Sequence, residues 1–349
     1  MTIANLVETP FPDRLAILPS ETYVFDHVPG VNELDLRITG RRKMTNGIEV
    51  LATNVGLLAF DYRSSALGGL VKLDFRGSGQ VPERIMDNQS DLIQAQISRL
   101  QFAMFVTACI YGVHAKSNNS GIDAPLFPAL DEIFNWMEVD RQLMLPIPDA
   151  DRLMSLLDLR RSLLPDPARS LASISITTLN SGLDLAERFL NNAPNYASID
   201  PKSVLVMTYQ AMILHRRQHA GASIALSAVV AEVLVEELIC ALGLVNNVPK
   251  RVDAPPGSNG SKVASLSKNA FRQMSFDQRI EYLRDAKVLK SYLVSRLTAL
   301  RKARNDLMHR GIDAVPRQSG EALTAVRDML WLATGEDSYE LNTGWSFRY

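Results

Sequence analysis

The chain has little cysteine, few histidines and no surplus of either charge, and each shortage argues against a class of protein. Only two cysteines, Cys109 and Cys240, occur in 349 residues. Both fall inside apolar helical patterns, so they read as buried free thiols in a reducing cytoplasm, against a disulfide framework or a zinc site. The five histidines are scattered, with no metal-ligand spacing such as HExxH or CxxC; no metal and no other cofactor is expected. A formal net charge of −1 argues against coating nucleic acid through global charge, which leaves that task to a local basic patch. Long apolar runs are missing as well. FAMFVTACIYGV (102–113) is too short to span a bilayer, and MTIANLVETPFPDRL lacks the basic and apolar regions of a secretory signal. The expectation is a cytoplasmic protein with no membrane partner.

What is present is the composition of an ordinary globular protein, 46% hydrophobic and 21% charged, in a chain long enough for two domains. The first 80 residues carry short runs rich in β-branched and aromatic residues: ETYVFDHV, ELDLRIT, GIEVLAT, VGLLAFDYR and GLVKLDFRG. Turn signals separate them, at Pro29-Gly30, Asn46-Gly47, Gly68-Gly69 and Gly77-Ser78-Gly79. Asn46-Gly47 suits a hairpin in which both central residues take positive φ. A small, mostly antiparallel sheet follows from this. From Asp87 the period changes to that of a helix, capped by Asp87 or Ser90 and running to about His114, which closes the core of the sheet. FPALDEIFNWMEVD and DADRLMSLLDLRRSLL read as two shorter helices, and Pro165 and Pro167 break the pattern.

Beyond that break the chain reads as helix, with GASIALSAVVAEVLVEELICALGL apolar nearly all round and therefore central. Residues 246–270 are rich in Pro, Gly, Ser and Asn and read as a loop. The fold class is α+β: residues 1–165 form an α+β domain, 178–333 a helical domain and 334–349 a tail whose aromatics dock on the body.

One helix breaks its own pattern. In KVLKSYLVSRLTALRKARNDLMHRG, Leu289, Leu293, Leu297, Leu300, Arg304 and Leu307 follow steps of four and three and share a face, so Arg304 stands where an apolar residue belongs. Arg301, Asn305 and His309 form a polar row beside it. Gly311 suits a C-cap, which places His309 in the last turn. Arg304 and His309 lie five residues apart, roughly 140° around a helix of 3.6 residues per turn. Side chains so placed diverge within one chain, and a symmetric pair of chains can gather them into one cleft.

Arg304-Asn305-Asp306-Leu307-Met308-His309, late in an all-helical domain and after a helix bearing Glu232, Glu236 and Glu237, resembles the HEPN superfamily (higher eukaryotes and prokaryotes nucleotide-binding). Its nuclease signature is an Arg, four to six residues, then a His, often with Asn, Asp or His directly after the Arg. The resemblance covers roughly residues 178–333. It implies a helical bundle, a homodimer with a composite site, and metal-independent cleavage of RNA through its 2′-hydroxyl. Arg304, His309 and Asn305 are the implied catalytic residues, with Glu232 and Asp306 supporting them and Arg301, Lys302 and Arg310 as RNA contacts. It further implies a toxin or antiphage effector, with residues 1–165 as a sensor or regulator and with an antitoxin or defence-system partner.

The residue types suit that chemistry. Histidine exchanges protons near neutral pH, arginine presents a permanent fork of donors to phosphate oxygens, and the 2′-hydroxyl distinguishes RNA from DNA. Between 284 and 317 lie nine basic residues against three acidic ones. Plainer readings stand beside these. Arg304 can hold the bundle together by pairing with a buried carboxylate such as Glu232, His309 can serve as a helix-end charge, and His215 and His219 read as bystanders at a helix break. On those readings the domain is a non-catalytic dimerisation or RNA-binding module that recruits another effector.

Overall fold

The computed structural model describes residues 14–17, 23–25, 36–68, 85–118, 133–140, 142–145, 147–163, 172–243 and 268–341. The architecture is α+β. The chain forms two compact units, Met1–Thr107 with Pro125–Leu183, and Ala108–Ala124 with Asp184–Tyr349. The expected strand GLVKLDFRG, the turns at Pro29-Gly30 and Gly77-Ser78-Gly79 and nearly all of the loop 246–270 lie outside the described residues.

In chain order the first unit contains β1 (Arg14–Ile17), β2 (Tyr23–Phe25), β3 (Ile38–Lys43), β4 (Glu49–Thr53), β5 (Leu58–Asp61) and most of α1 (Ile85–Asn118). There follow β6 (Ile133–Asn135), β7 (Met137–Val139), β8 (Gln142–Met144), α2 (Ile147–Leu163), β9 (Ala172–Ile174) and the start of α3 (Ile176–Asn192). Five strands make an antiparallel sheet in the order β3-β4-β5-β1-β6. Ala16, Leu51 and Ala59 lie in register on one face, where with Phe134 they pack with Leu153 and Leu157 of α2. On the other face Phe60 meets Phe102 of α1 edge-on, with ring centroids 6.5 Å apart. A sheet covered on both faces has no polar side, which is why β5 is buried at all four positions instead of alternating.

The structure corrects three sequence readings here. The β3–β4 hairpin forms, but only Gly47 has positive φ, at 86°. Met44 accepts from the Gly47 N–H at 3.0 Å and donates to the Ile48 carbonyl at 2.8 Å, the arrangement of a three-residue loop closed by a glycine bulge. Helix α1 begins at Ile85, so neither Asp87 nor Ser90 stands at its N-cap. FPALDEIFNWMEVD contains two strands, not a helix. Leu130, Ile133, Phe134 and Met137 mimic helical spacing, but the buried pair Phe134 and Trp136 keeps the two-residue period of a strand, and Leu15, Ala16 and Ile17 supply its partner edge.

The second unit is built from α4 (Pro201–Arg216), α5 (Ala220–Ala241), α6 (Lys268–Gln273), α7 (Phe276–Asp285), α8 (Ser291–Arg310) and α9 (Pro316–Thr334). Helix α5 packs against α4, α7, α8 and α9, the central place expected of the most apolar helix. Asp200 caps α4, accepting from the Lys202 N–H and the Ser203 hydroxyl, with Pro201 in the first turn. Ser275 and Gln278 close a capping box at α7. Residues after α9 fold back onto the unit: Tyr339 is fully buried between Phe189 and Trp331, with ring centroids at 6.1 and 6.3 Å.

Both cysteines are buried. Burial pushes the Cys109 thiol well up, and burial together with Glu236 and Glu237 pushes Cys240 up to about 11. Thiolate is the reactive form, so the folded chain is expected to leave both thiols unlabelled by a disulfide reagent at pH 8, and to release two reactive thiols in denaturant.

His114 is buried, and burial lowers its pKa. The folded state then resists a proton that the unfolded chain accepts near pH ~6.5. This contribution to stability is complete above that pH and is lost as pH falls toward the lowered folded value. His114→Gln is expected to flatten the acid limb of a stability–pH curve measured by urea unfolding below about pH 6.5.

Candidate functional site

Helix α8 carries the Arg304–His309 motif. Its buried face runs Leu293, Leu297, Leu300 and Ala303, with Leu289 buried just before the helix begins. The position next to the core after Leu300 is therefore Ala303, where the sequence pattern places Arg304. A small residue there lets α8 lie close to its neighbours, and Arg304 falls at the edge of the contact with its side chain 39% exposed. From that edge it reaches α5, with Nη1 3.8 Å from Glu232 Oε1, a carboxylate itself 41% exposed. An ion pair this long and this wet contributes about 0–1 kcal/mol.

The last turn of α8 is closed by Gly311, whose φ of 65° is in the left-handed region. Its N–H donates to the Leu307 carbonyl and the Ile312 N–H to the Asp306 carbonyl, both at 3.2 Å, so two carbonyls at the helix end are satisfied. His309 stands in this turn and is exposed, as are Met308 and Arg310. Asn305 is half-buried. Asp306 accepts from Arg310 at 3.3 Å. The motif residues therefore do not converge within one chain: Arg304 turns to Glu232 on α5, and His309 projects from the last turn.

The basic run from 284 to 317 is largely matched by carboxylates. Arg284 pairs with Glu281 and Asp285, Arg296 with Asp328, Arg301 with Asp277, Arg304 with Glu232, Arg310 with Asp306, and Arg317 with Glu321. Among the described residues Lys287, Lys290 and Lys302 have no ion-pair partner. Of the expected RNA contacts, Lys302 thus has no carboxylate beside it, while Arg301 and Arg310 each hold one, Asp277 and Asp306.

The structure also brings to this end of the bundle residues that the sequence reading set aside. A Cβ on Gly221, in the first turn of α5, would lie 2.8 Å from Asp313 Oδ1 and 3.3 Å from Leu307 Cδ1. The neighbouring atoms are side-chain ends that can shift, so the contact is close without demanding glycine, and it places the α4–α5 turn, with exposed Arg217 and His219, beside the turn that follows His309. No family model matches this chain, and no curated protein or solved structure matches it. The residues alone carry the functional argument.

His215, in the last turn of α4, is buried, with Nδ1 2.6 Å from Ser319 Oγ in the first turn of α9. Ser319 donates its own proton to the Pro316 carbonyl at 2.9 Å, which leaves the hydroxyl to accept from a protonated Nδ1. His215 thus fixes the start of α9 relative to α4. Nothing in its spacing from Ser319, 104 residues away, announced the contact. Among the described residues no cluster of three or more His, Cys, Asp or Glu side chains could hold a metal ion, and no helix is long and apolar enough to cross a membrane.

Proposed function

We propose that the second unit is a helical bundle of the HEPN type acting as a metal-independent endoribonuclease. The observation that carries the reading is the placement of Arg304-Asn305-x-x-x-His309 in the last two turns of α8, with Arg304 held at the α5 edge by a half-exposed carboxylate and His309 exposed at a glycine-capped helix end. The first unit then serves as a sensor or regulator. The protein works as a toxin or antiphage effector, in the cytoplasm and as a homodimer, with its activity held in check by an antitoxin or a defence-system partner.

In the reaction, His309 takes the proton of a ribose 2′-hydroxyl as that oxygen attacks the adjacent phosphorus. The bond from phosphorus to O5′ breaks, and the leaving O5′ receives a proton. The products are a 2′,3′-cyclic phosphate and a 5′-hydroxyl. Arg304 stabilises the charge that gathers on the non-bridging oxygens, Asn305 orients the imidazole or the phosphate by hydrogen bonding, and Glu232 holds Arg304. Asp306 supports the end of α8 through Arg310. Arg301, Lys302 and Arg310 guide the flanking phosphates.

One observation favours a second reading, a non-catalytic module that dimerises or binds RNA and recruits another effector. Arg304 already has a partner in Glu232, as a purely structural arginine would. Incubating purified protein with end-labelled RNA in EDTA separates the two. Fragments ending in 2′,3′-cyclic phosphate, absent when the substrate is 2′-deoxy throughout, support the nuclease; RNA that is bound and left intact supports the recruiting module.

A further inference from the structure

Among the described residues, the three most exposed large apolar side chains lie between 308 and 315, at and just past the end of α8. Met308 is 63% exposed, Val315 54% and Ile312 53%. Single exposed apolar residues are ordinary, whereas a group of them marks a binding surface. Met308 and Ile312 bracket His309 and Arg310 in the sequence. The turn that carries them is held by hydrogen bonds, from the Gly311 N–H to the Leu307 carbonyl and from the Ile312 N–H to the Asp306 carbonyl. Two aliphatic side chains therefore stand in water on either side of the proposed base. We propose that Met308 and Ile312 form a wedge that parts the stacked bases flanking the scissile phosphate of an RNA strand.

This inference rests on the ribonuclease reading and extends it from the phosphate to the bases. Attack by the 2′-oxygen needs that atom, the phosphorus and O5′ in line. In a stacked helical strand the 2′-oxygen stands to the side of that line, so the two nucleotides must swing apart before the bond can form. Unstacking bares apolar base faces to water, and an aliphatic side chain inserted between them offsets that cost. Methionine is unbranched and adapts to bases of different size, while isoleucine is stiff at χ1 and keeps its place. Neither carries a hydrogen-bonding group that would read a base edge, so the wedge tolerates many sequences. Met308 and Ile312 are thus positioning residues for the chemistry at His309.

The charges around the wedge select a nucleic-acid strand as its occupant. The approach of Gly221 to Asp313 and Leu307 brings the α4–α5 turn, with exposed Arg217 and His219, to this end of the bundle. His219 is the N-cap of α5 and makes no side-chain bond to the helix. Asp313, the carboxylate beside that turn, accepts from the Ala314 N–H at 2.8 Å. Apolar side chains edged by Arg310, Arg217 and His219 match bases edged by phosphates.

A 2′-O-methyl oligoadenylate with 2-aminopurine at alternate positions tests the wedge without cleavage, because its blocked oxygen cannot attack. 2-Aminopurine is dim in a stack and brightens when parted from its neighbours. Wild type should bind this strand, read by anisotropy, and brighten it. Met308→Ser combined with Ile312→Ser should bind with the brightening lost; both side chains are exposed, so the change opens no cavity. Met308→Leu combined with Ile312→Val should restore the signal, and Tyr292→Ser, 50% exposed in the first turn of α8, should leave it unchanged. On cleavable strands the serine variant should cut oligoadenylate about tenfold more slowly and oligouridylate, whose bases barely stack, at the wild-type rate. Wild type that does not bind the strand, or binds it without brightening, would overturn the wedge, the second result leaving this patch to a protein partner. Equal slowing on both oligomers would overturn it as well. Brightening by a protein that cuts neither oligomer would sink the nuclease and leave the wedge standing, and cutting without brightening would do the reverse.

Discussion

His309→Ala and Arg304→Ala are each expected to slow RNA cleavage by about 10²–10⁴-fold, the usual contribution of a positioned proton-transfer or charge-stabilising group. The structure makes these clean substitutions. His309 is exposed in the last turn of α8, so removing its ring opens no cavity. Arg304 is half-exposed and its pair with Glu232 is 3.8 Å long, so its loss costs the fold about 0–1 kcal/mol. A fall in rate with an unchanged unfolding midpoint is therefore a statement about chemistry. Arg304→Lys should recover little, because an ammonium cannot offer the paired donors that a phosphate accepts. Equal cleavage by wild type and both alanine variants would remove the site.

Glu237→Ala is expected to destabilise the second unit by about 2–4 kcal/mol, read as a lower denaturant midpoint. Glu237 is fully buried on α5 and accepts three hydrogen bonds from the segment that leads into α4. The Ala197 N–H donates at 3.0 Å, the Ser198 N–H at 2.7 Å and the Ser198 hydroxyl at 3.0 Å. Alanine removes all three acceptor contacts and leaves a void against the central helix. Glu237→Gln keeps the volume but turns an NH₂ toward a donor, so it should fall between wild type and alanine. A midpoint within experimental error of wild type for Glu237→Ala would mean that this segment is held by its other contacts.

Most helices were legible in the sequence because they bury a face of steady period. Helix α5 is the plainest case, apolar enough to mark itself as central, whereas the caps at Asp200 and Ser275 and the start of α9 at Pro316 emerge only in the structure. The small strands were harder. β6 and β7 lie in a stretch whose leucine, isoleucine and methionine spacing imitates a helix, and only pairing with β1 decides for strand.

The motif itself was legible and its surroundings were not. Steps of three and four cannot tell Ala303 from Arg304 as the next core position, because both lie close to the line through Leu300 and Leu307. Glu232 was identified in advance as a partner for Arg304, since a helix of apolar residues offers few carboxylates. Asp277 beside Arg301, the approach of Gly221 to the turn after His309, and the His215–Ser319 contact depend on how helices far apart in sequence cross. No local pattern records that.

Mixing two inactive variants tests the central claim most directly. Arg304→Ala and His309→Ala are purified separately, combined in equal amounts, allowed to exchange subunits, and assayed on labelled RNA in EDTA. A site shared between chains predicts that each variant alone is nearly inactive and that the mixture regains about a quarter of the wild-type rate, since half the dimers are mixed and each holds one intact site of two. A mixture no more active than its components would contradict the shared site, and full activity in either variant alone would contradict the assignment of Arg304 and His309 altogether.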